Sequence, residues 1–107
     1  MDVIAREVRK AFDGAAASAN VEFDNAKHYK RFQFEGVAAG GTWTAQFESS
    51  RDEGATWIPA SGVLTLASVG DSIFLSGQFD RLRLKAVRTA GTLNGWIVAS
   101  DNDPSRW

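Results

Sequence analysis

Along residues 42–48 apolar and polar side chains alternate, with Trp43, Ala45 and Phe47 at odd positions and Thr42, Thr44, Gln46 and Glu48 at even ones. That is the period of a β-strand with one buried face, so Trp43, Ala45 and Phe47 are predicted to point inward. Residues 80–86 repeat the pattern: Leu82, Leu84 and Ala86 share one face, and Arg81, Arg83 and Lys85 share the other. Shorter runs fit the same period, namely Val21 with Phe23, Phe32 with Phe34, Leu64 with Leu66 and Ile73 with Leu75, each bounded by Gly, Asn, Asp or Ser. Short strands joined by small turns predict an all-β fold, a small antiparallel β-sandwich or jelly roll with terminal arms, as a single domain over residues 1–107.

Three segments depart from that rule. In residues 92–100, Leu93, Ile97 and Ala99 lie on one face while Trp96 and Val98 lie on the other, so both faces are apolar. Such a strand is either central and covered twice, the commoner case, or covered once by its own core and once by another chain. At the amino terminus Ile4, Val8 and Phe12 recur at the four-residue spacing of a helical stripe, with Asp2 as cap and Arg9 and Lys10 at the far end. Asp13-Gly14 stops any helix within three turns, too short to stand alone in water, so residues 1–14 are either a docked short helix or an extended arm. Residues 101–107 have lost all periodicity and read as an irregular tail.

Composition narrows the function classes. With no cysteine, a disulfide scaffold, a zinc-thiolate site and thiol catalysis are all ruled out. A net charge of -1 gives no general attraction to nucleic acid or anionic lipid. The apolar runs are far shorter than a spanning helix requires, and the charged opening residues predict no secretory leader, hence a cytosolic product.

The sharpest local pattern is Ser50-Arg51-Asp52-Glu53-Gly54-Ala55-Thr56-Trp57, which matches the Asp-box, Ser-x-Asp-x-Gly-x-Thr-Trp, and follows a predicted strand. Each of Ser50, Asp52, Gly54, Thr56 and Trp57 has a local reason: the carboxylate accepts backbone N–H groups, Gly takes a positive φ, and the Trp folds back as an apolar plug. The box is a turn motif of sialidases and other propeller enzymes, but one copy in 107 residues cannot make a propeller, so its expected role is structural. His28 is the only histidine and no Gly-x-Ser-x-Gly elbow accompanies it, so no Ser-His-Asp relay is assembled. Asp101, Asn102 and Asp103 lack the Gly and distant Glu of a calcium loop, and Gly40-Gly41 reads as a turn; no catalytic, metal or cofactor residue is assigned. Arg81, Arg83 and Lys85 make a ridge of cations, either balanced by nearby carboxylates or facing an acidic partner.

Taken together, residues 6–10, 19–23, 41–50, 79–84 and 91–96 give most of the chain a resemblance to the small β-rich structural proteins of tailed bacteriophages. That resemblance implies a non-enzymatic virion component, chiefly a capsid decoration or cement protein holding the major capsid protein, with a neck or tail protein as the alternative. It further implies a homo-oligomer, a trimer above all, whose terminal arms reach neighbours. The partner-binding candidates are then Ile4, Val8 and Phe12 at one end, Trp107 at the other, the Arg81, Arg83 and Lys85 ridge, and the second apolar face at Trp96 and Val98. A Trp on a polar tail has no folding rationale unless it docks, and aromatic residues are favoured interface anchors. The rival reading is a carbohydrate-binding module using Tyr29, Trp96 and Trp107 as its platform.

Overall fold

The computed structural model of the chain describes residues 7–23 and 26–100, with side chains from Arg9 onward except at residues 24 and 25. Ile4, Trp107 and the tail over residues 101–107 lie outside the described residues, as does the side chain of Val8. Among the described residues the strands are β1 (Glu7–Ala15), β2 (Ala19–Glu22), β3 (Arg31–Ala39), β4 (Trp43–Ser50), β5 (Ile58–Pro59), β6 (Leu64–Leu66), β7 (Asp71–Ser76), β8 (Arg81–Arg88) and β9 (Thr92–Ser100). A 3-10 turn, Ala26–His28, links β2 to β3.

These strands form two antiparallel sheets: β1-β9-β3-β7, and β2-β8-β4-β5 with β6 also on β4. The inner faces hold the side chains that alternation selected. Trp43, Phe47, Leu82, Leu84 and Phe34 are fully buried, and Ala45, Ala86, Phe32 and Phe23 nearly so. Val21, Leu64, Ile73 and Leu75 pack against this core from its margins. Four ring pairs pack in and around this core: Phe12 meets Phe34 at 5.9 Å, Phe23 meets Phe32 at 5.2 Å and Phe47 at 6.0 Å, and Phe32 meets Phe79 at 5.7 Å. Edge-on and tilted contacts of this kind stabilise beyond area burial, by about 0.5–1.5 kcal/mol each.

The amino-terminal segment resolves in favour of extended chain. β1 runs antiparallel to β9 from Glu7 opposite Ser100 to Phe12 opposite Gly95, then shifts register before Ala15 meets Leu93. The Gly14 N–H, in the shifted stretch, donates to Asn94 Oδ1 at 2.8 Å. A spacing of four residues is also even, so a stripe at that spacing fits one face of a strand as readily as one face of a helix. Phe12 spends its apolar surface on this chain's own Phe34, so it does not reach outward as a free anchor.

β9 corrects the expectation of double cover. It lies inside its sheet, between β1 and β3, and Leu93, Ile97 and Ala99 are buried in the core. Its other face has no second layer among the described residues, and Trp96 remains 45% exposed.

Candidate interaction surface

The sandwich presents two outer faces of different character. On the β2-β8-β4 face the predicted cationic ridge is largely consumed by this chain's own carboxylates. Arg81 grips Glu22 with two nitrogens at 2.6 and 2.8 Å, and its third nitrogen donates to the Glu53 carbonyl. Arg83 does the same to Glu48 Oε1, from Nε at 2.9 Å and from a terminal nitrogen at 2.8 Å. Strand register creates both pairs, since Arg83 stands opposite Glu48 on one side and Glu22 on the other, with Arg81 diagonal to Glu22. Lys85 alone of the three is exposed.

The turn after β4 closes over this same face. Asp52 Oδ1 accepts the Ser50 hydroxyl at 2.8 Å and the Thr56 N–H at 2.8 Å, while Ser50 Oγ accepts the Gly54 N–H at 2.9 Å. Glu53 and Gly54 both take positive φ, 60° and 89°, so the glycine sits where a side chain would be strained. Trp57 is not the apolar plug the motif predicted. It is half-buried and lies across the two guanidiniums, 4.2 Å from that of Arg83 and 5.5 Å from that of Arg81. The turn, the Trp and the arginines thus form one self-satisfied unit on the outside of the sheet.

Its electrostatics give a testable pH dependence. The Thr56 N–H, then the Ser50 and Thr56 hydroxyls, hold the Asp52 carboxyl below its usual 3.8. A depressed folded value stabilises the fold at all pH above 3.8, and that contribution is lost as pH falls through the folded value. Asp52→Asn is therefore expected to lower the thermal midpoint at neutral pH, with the gap to wild type narrowing in an acid titration below 3.8. A gap constant from neutral to strongly acid pH would contradict this role.

The opposite face, built on β1-β9-β3-β7, is open. Alternation turns Trp96 and Val98 of β9, Glu35 and Gln33 of β3, and Phe74 of β7 outward, and register lines them up in rows. Trp96 stands beside Glu35, and Val98, Gln33 and Phe74 follow one another across three strands. Phe74 is 67% exposed, the Arg9 guanidinium lies 5.6 Å from the Trp96 ring, and Val98 is half-buried. Beside Trp96 runs a shallow groove of about 570 Å³, floored by Gly36, Gly95 and Gly70 and walled by Glu35, Asp71, Ser72 and Asn94. Alternation in β9 pointed to Trp96 and Val98, but Phe74 was hidden between Ile73 and Leu75, where three apolar residues in a row mask the outward one. Tyr29 is buried, which removes it from any sugar platform, and His28 lies exposed in the 3-10 turn. Among the described residues no three His, Asp or Glu side chains cluster as metal ligands would.

A two-sheet antiparallel sandwich with one self-satisfied and one open outer face is what the fold defines. No family model matches the sequence. No curated protein matches it either. Solved structures share the fold. The SPBc2 prophage-derived protein YomS aligns with a TM-score of 0.70 at 12% identity, over 94% of this chain and 97% of that one. A chain of the Bacillus endospore appendages, which form disulfide-linked pili, aligns at 0.60 and 16% identity over 91% and 84%. The PBSX exported protein XepA aligns at 0.55 and 16% identity, over 94% of this chain but 37% of the larger protein. Phage-derived β-proteins are thus among its structural neighbours, and this chain's lack of cysteine means that no disulfide link accompanies the shared fold here.

Proposed function

We propose that this chain is a non-enzymatic structural protein of a phage particle, a capsid decoration or cement protein that binds copies of the major capsid protein through the open face of β1-β9-β3-β7. The observation that carries this reading is the exposure of Trp96 and Phe74 on that face, one on an interior strand and one on an edge strand, in a fold that also occurs in a prophage-derived protein. Exposed aromatic residues on a rigid sheet make good interface anchors because little side-chain entropy is lost when they dock. Anything that binds only the folded form also stabilises it, which suits a small domain with no cysteine for a disulfide. Arg81 and Arg83 are engaged within the chain, so Lys85 is what the ridge offers to an acidic partner.

Particles produced without this protein are expected to rupture at lower temperature or milder osmotic shock than complete ones. Equal rupture thresholds would overturn the cement role. A copy number that scales with the major capsid protein supports a shell position, whereas a few copies per particle would place the protein in the neck or tail.

The groove beside Trp96 favours a second reading as a glycan-binding module, since an aromatic face flanked by Glu35, Asp71, Ser72 and Asn94 is the chemistry that holds a sugar ring. A glycan array separates the two: binding abolished by Trp96→Ala selects the sugar, and a blank array leaves the particle.

A further inference from the structure

We propose that two copies of this chain pair edge to edge through β7, antiparallel, about a two-fold axis at Phe74. The inference rests on the strand edges and stands independently of the virion assignment.

A sheet edge carries unpaired backbone donors and acceptors, and proteins that stay monomeric blunt such edges with bulges, prolines, lysines or brevity. Among the described residues the other edges are blunted. β1 carries Arg9 and Lys10 and breaks register after Phe12. β2 has four residues, and its Glu22 carbonyl accepts Lys10 Nζ at 3.2 Å. β5 has two residues and one of them is Pro59, while β6 has three. β7 has no bulge, proline or lysine, and its one charge, Asp71, stands at its first residue: six residues, Asp-Ser-Ile-Phe-Leu-Ser, pair with β3 without a break from Arg31 opposite Ser76 to Gly36 opposite Asp71.

The edge is also self-complementary. The Gly77 N–H donates to the Lys30 carbonyl at 3.0 Å, so strand alternation turns the N–H groups of Ser72, Phe74 and Ser76 to the free side; that of Ser72 is held by Asp71 Oδ1 at 2.8 Å and has to exchange this carboxylate for the second strand, which leaves Phe74 and Ser76 as the donors the second strand meets first. A second β7 laid antiparallel on those groups puts Phe74 opposite its own copy, Ser72 opposite Ser76 and Ile73 opposite Leu75. Asp71 then falls opposite Gly77, so no like charges face each other across the pair. Phe74, the most exposed aromatic residue described, stands beside its twin on the same outer face at the axis. The product is one eight-stranded sheet whose two open faces join, a two-fold assembly in place of the trimer that the phage resemblance implies.

Sedimentation of the purified chain is expected to show a concentration-dependent shift from one copy to two. Phe74→Lys sets two ammonium groups against each other at the axis and should hold the protein at one copy, with its thermal midpoint close to wild type because position 74 is exposed. Register is tested by cross-linking in this cysteine-free background. Hydrogen-bonded antiparallel partners have Cα atoms about 5.5 Å apart, within disulfide range, so Phe74→Cys should oxidise to a covalent dimer. Ser76→Cys, which faces Ser72 of the second copy, should not. A single copy at all concentrations, or cross-linking of Ser76→Cys as efficient as that of Phe74→Cys, would overturn the pairing. Self-association that Phe74→Lys leaves intact would assign it to another surface and overturn it equally.

Discussion

Trp43→Ala is expected to remove about 3–5 kcal/mol of folding free energy, the range for truncating a fully buried large aromatic residue. Trp43 is the largest side chain with no exposure, and it opens β4, the strand hydrogen-bonded to β8 on one side and to β5 and β6 on the other. The hole left by the indole has sheet on both flanks, so it cannot collapse without moving the Leu66 and Arg88 backbones that stand opposite position 43. Small domains hold about 5–15 kcal/mol in total, so the variant should sit near the edge of folding. Trp43→Phe separates bulk from polarity. The indole Nε1 is buried without a hydrogen-bond partner among the described residues, so replacing it by Phe sacrifices ring area but leaves no donor stranded. Urea unfolding should therefore place Trp43→Phe, which leaves the smaller cavity, between wild type and Trp43→Ala. Equal losses for the two variants would mean that the site tolerates no change of shape at all.

Gly95→Ala is expected to be at least as damaging, although it adds only a methyl group. A Cβ at position 95 would collide with the Glu35 carbonyl oxygen and come within 2.8 Å of the Gly36 Cα. Both are backbone atoms of β3, which Gly95 faces directly across the ladder, and neither can swing aside as a side-chain tip would. Because β9 lies between β1 and β3, any shift has to spread through the sheet and into the register that places Trp96. The expected cost exceeds about 4 kcal/mol, a size reached only by a short list of mechanisms including overpacking and backbone strain. Gly62→Ala is the matched control, since nothing lies within 4 Å of the added methyl there, and it should unfold within about 0.5 kcal/mol of wild type. A soluble Gly95→Ala protein with wild-type urea midpoint would show that the two strands are not held as close as described.

What could be read from the sequence was parity. Trp43, Ala45, Phe47, Leu82, Leu84 and Ala86 were legible as inward residues because polar neighbours interrupt them at every second position, and all six are buried. The fold class followed, because six short alternating runs have no other way to hide their apolar faces. The amino-terminal strand was ambiguous for a stated reason: even spacing satisfies both periods, and only pairing with β9 decides between them. The outer faces were half legible. Alternation placed Arg81 and Arg83 together, but their partners Glu22 and Glu48 come from other strands, and the register that joins them is set by long-range pairing. The Gly36 and Gly95 contact carried no signal either, since a glycine inside a run reads as punctuation until the strand beside it is known.

The central claim is that the open face of β1-β9-β3-β7 holds this protein on a particle, and copy number per particle measured by quantitative mass spectrometry tests it most directly. Three producers are compared: wild type, Trp96→Ala, and Val63→Ser, the last altering an exposed apolar residue that lies off this face, just before β6. Loss of one anchor worth about 1.4 kcal/mol lowers affinity tenfold, so Trp96→Ala should strip particles of the protein while Val63→Ser leaves occupancy unchanged. Both variants should melt near wild type, because both side chains are already in contact with solvent. Wild-type occupancy of Trp96→Ala, or absence of the intact protein from purified particles, would contradict the claim.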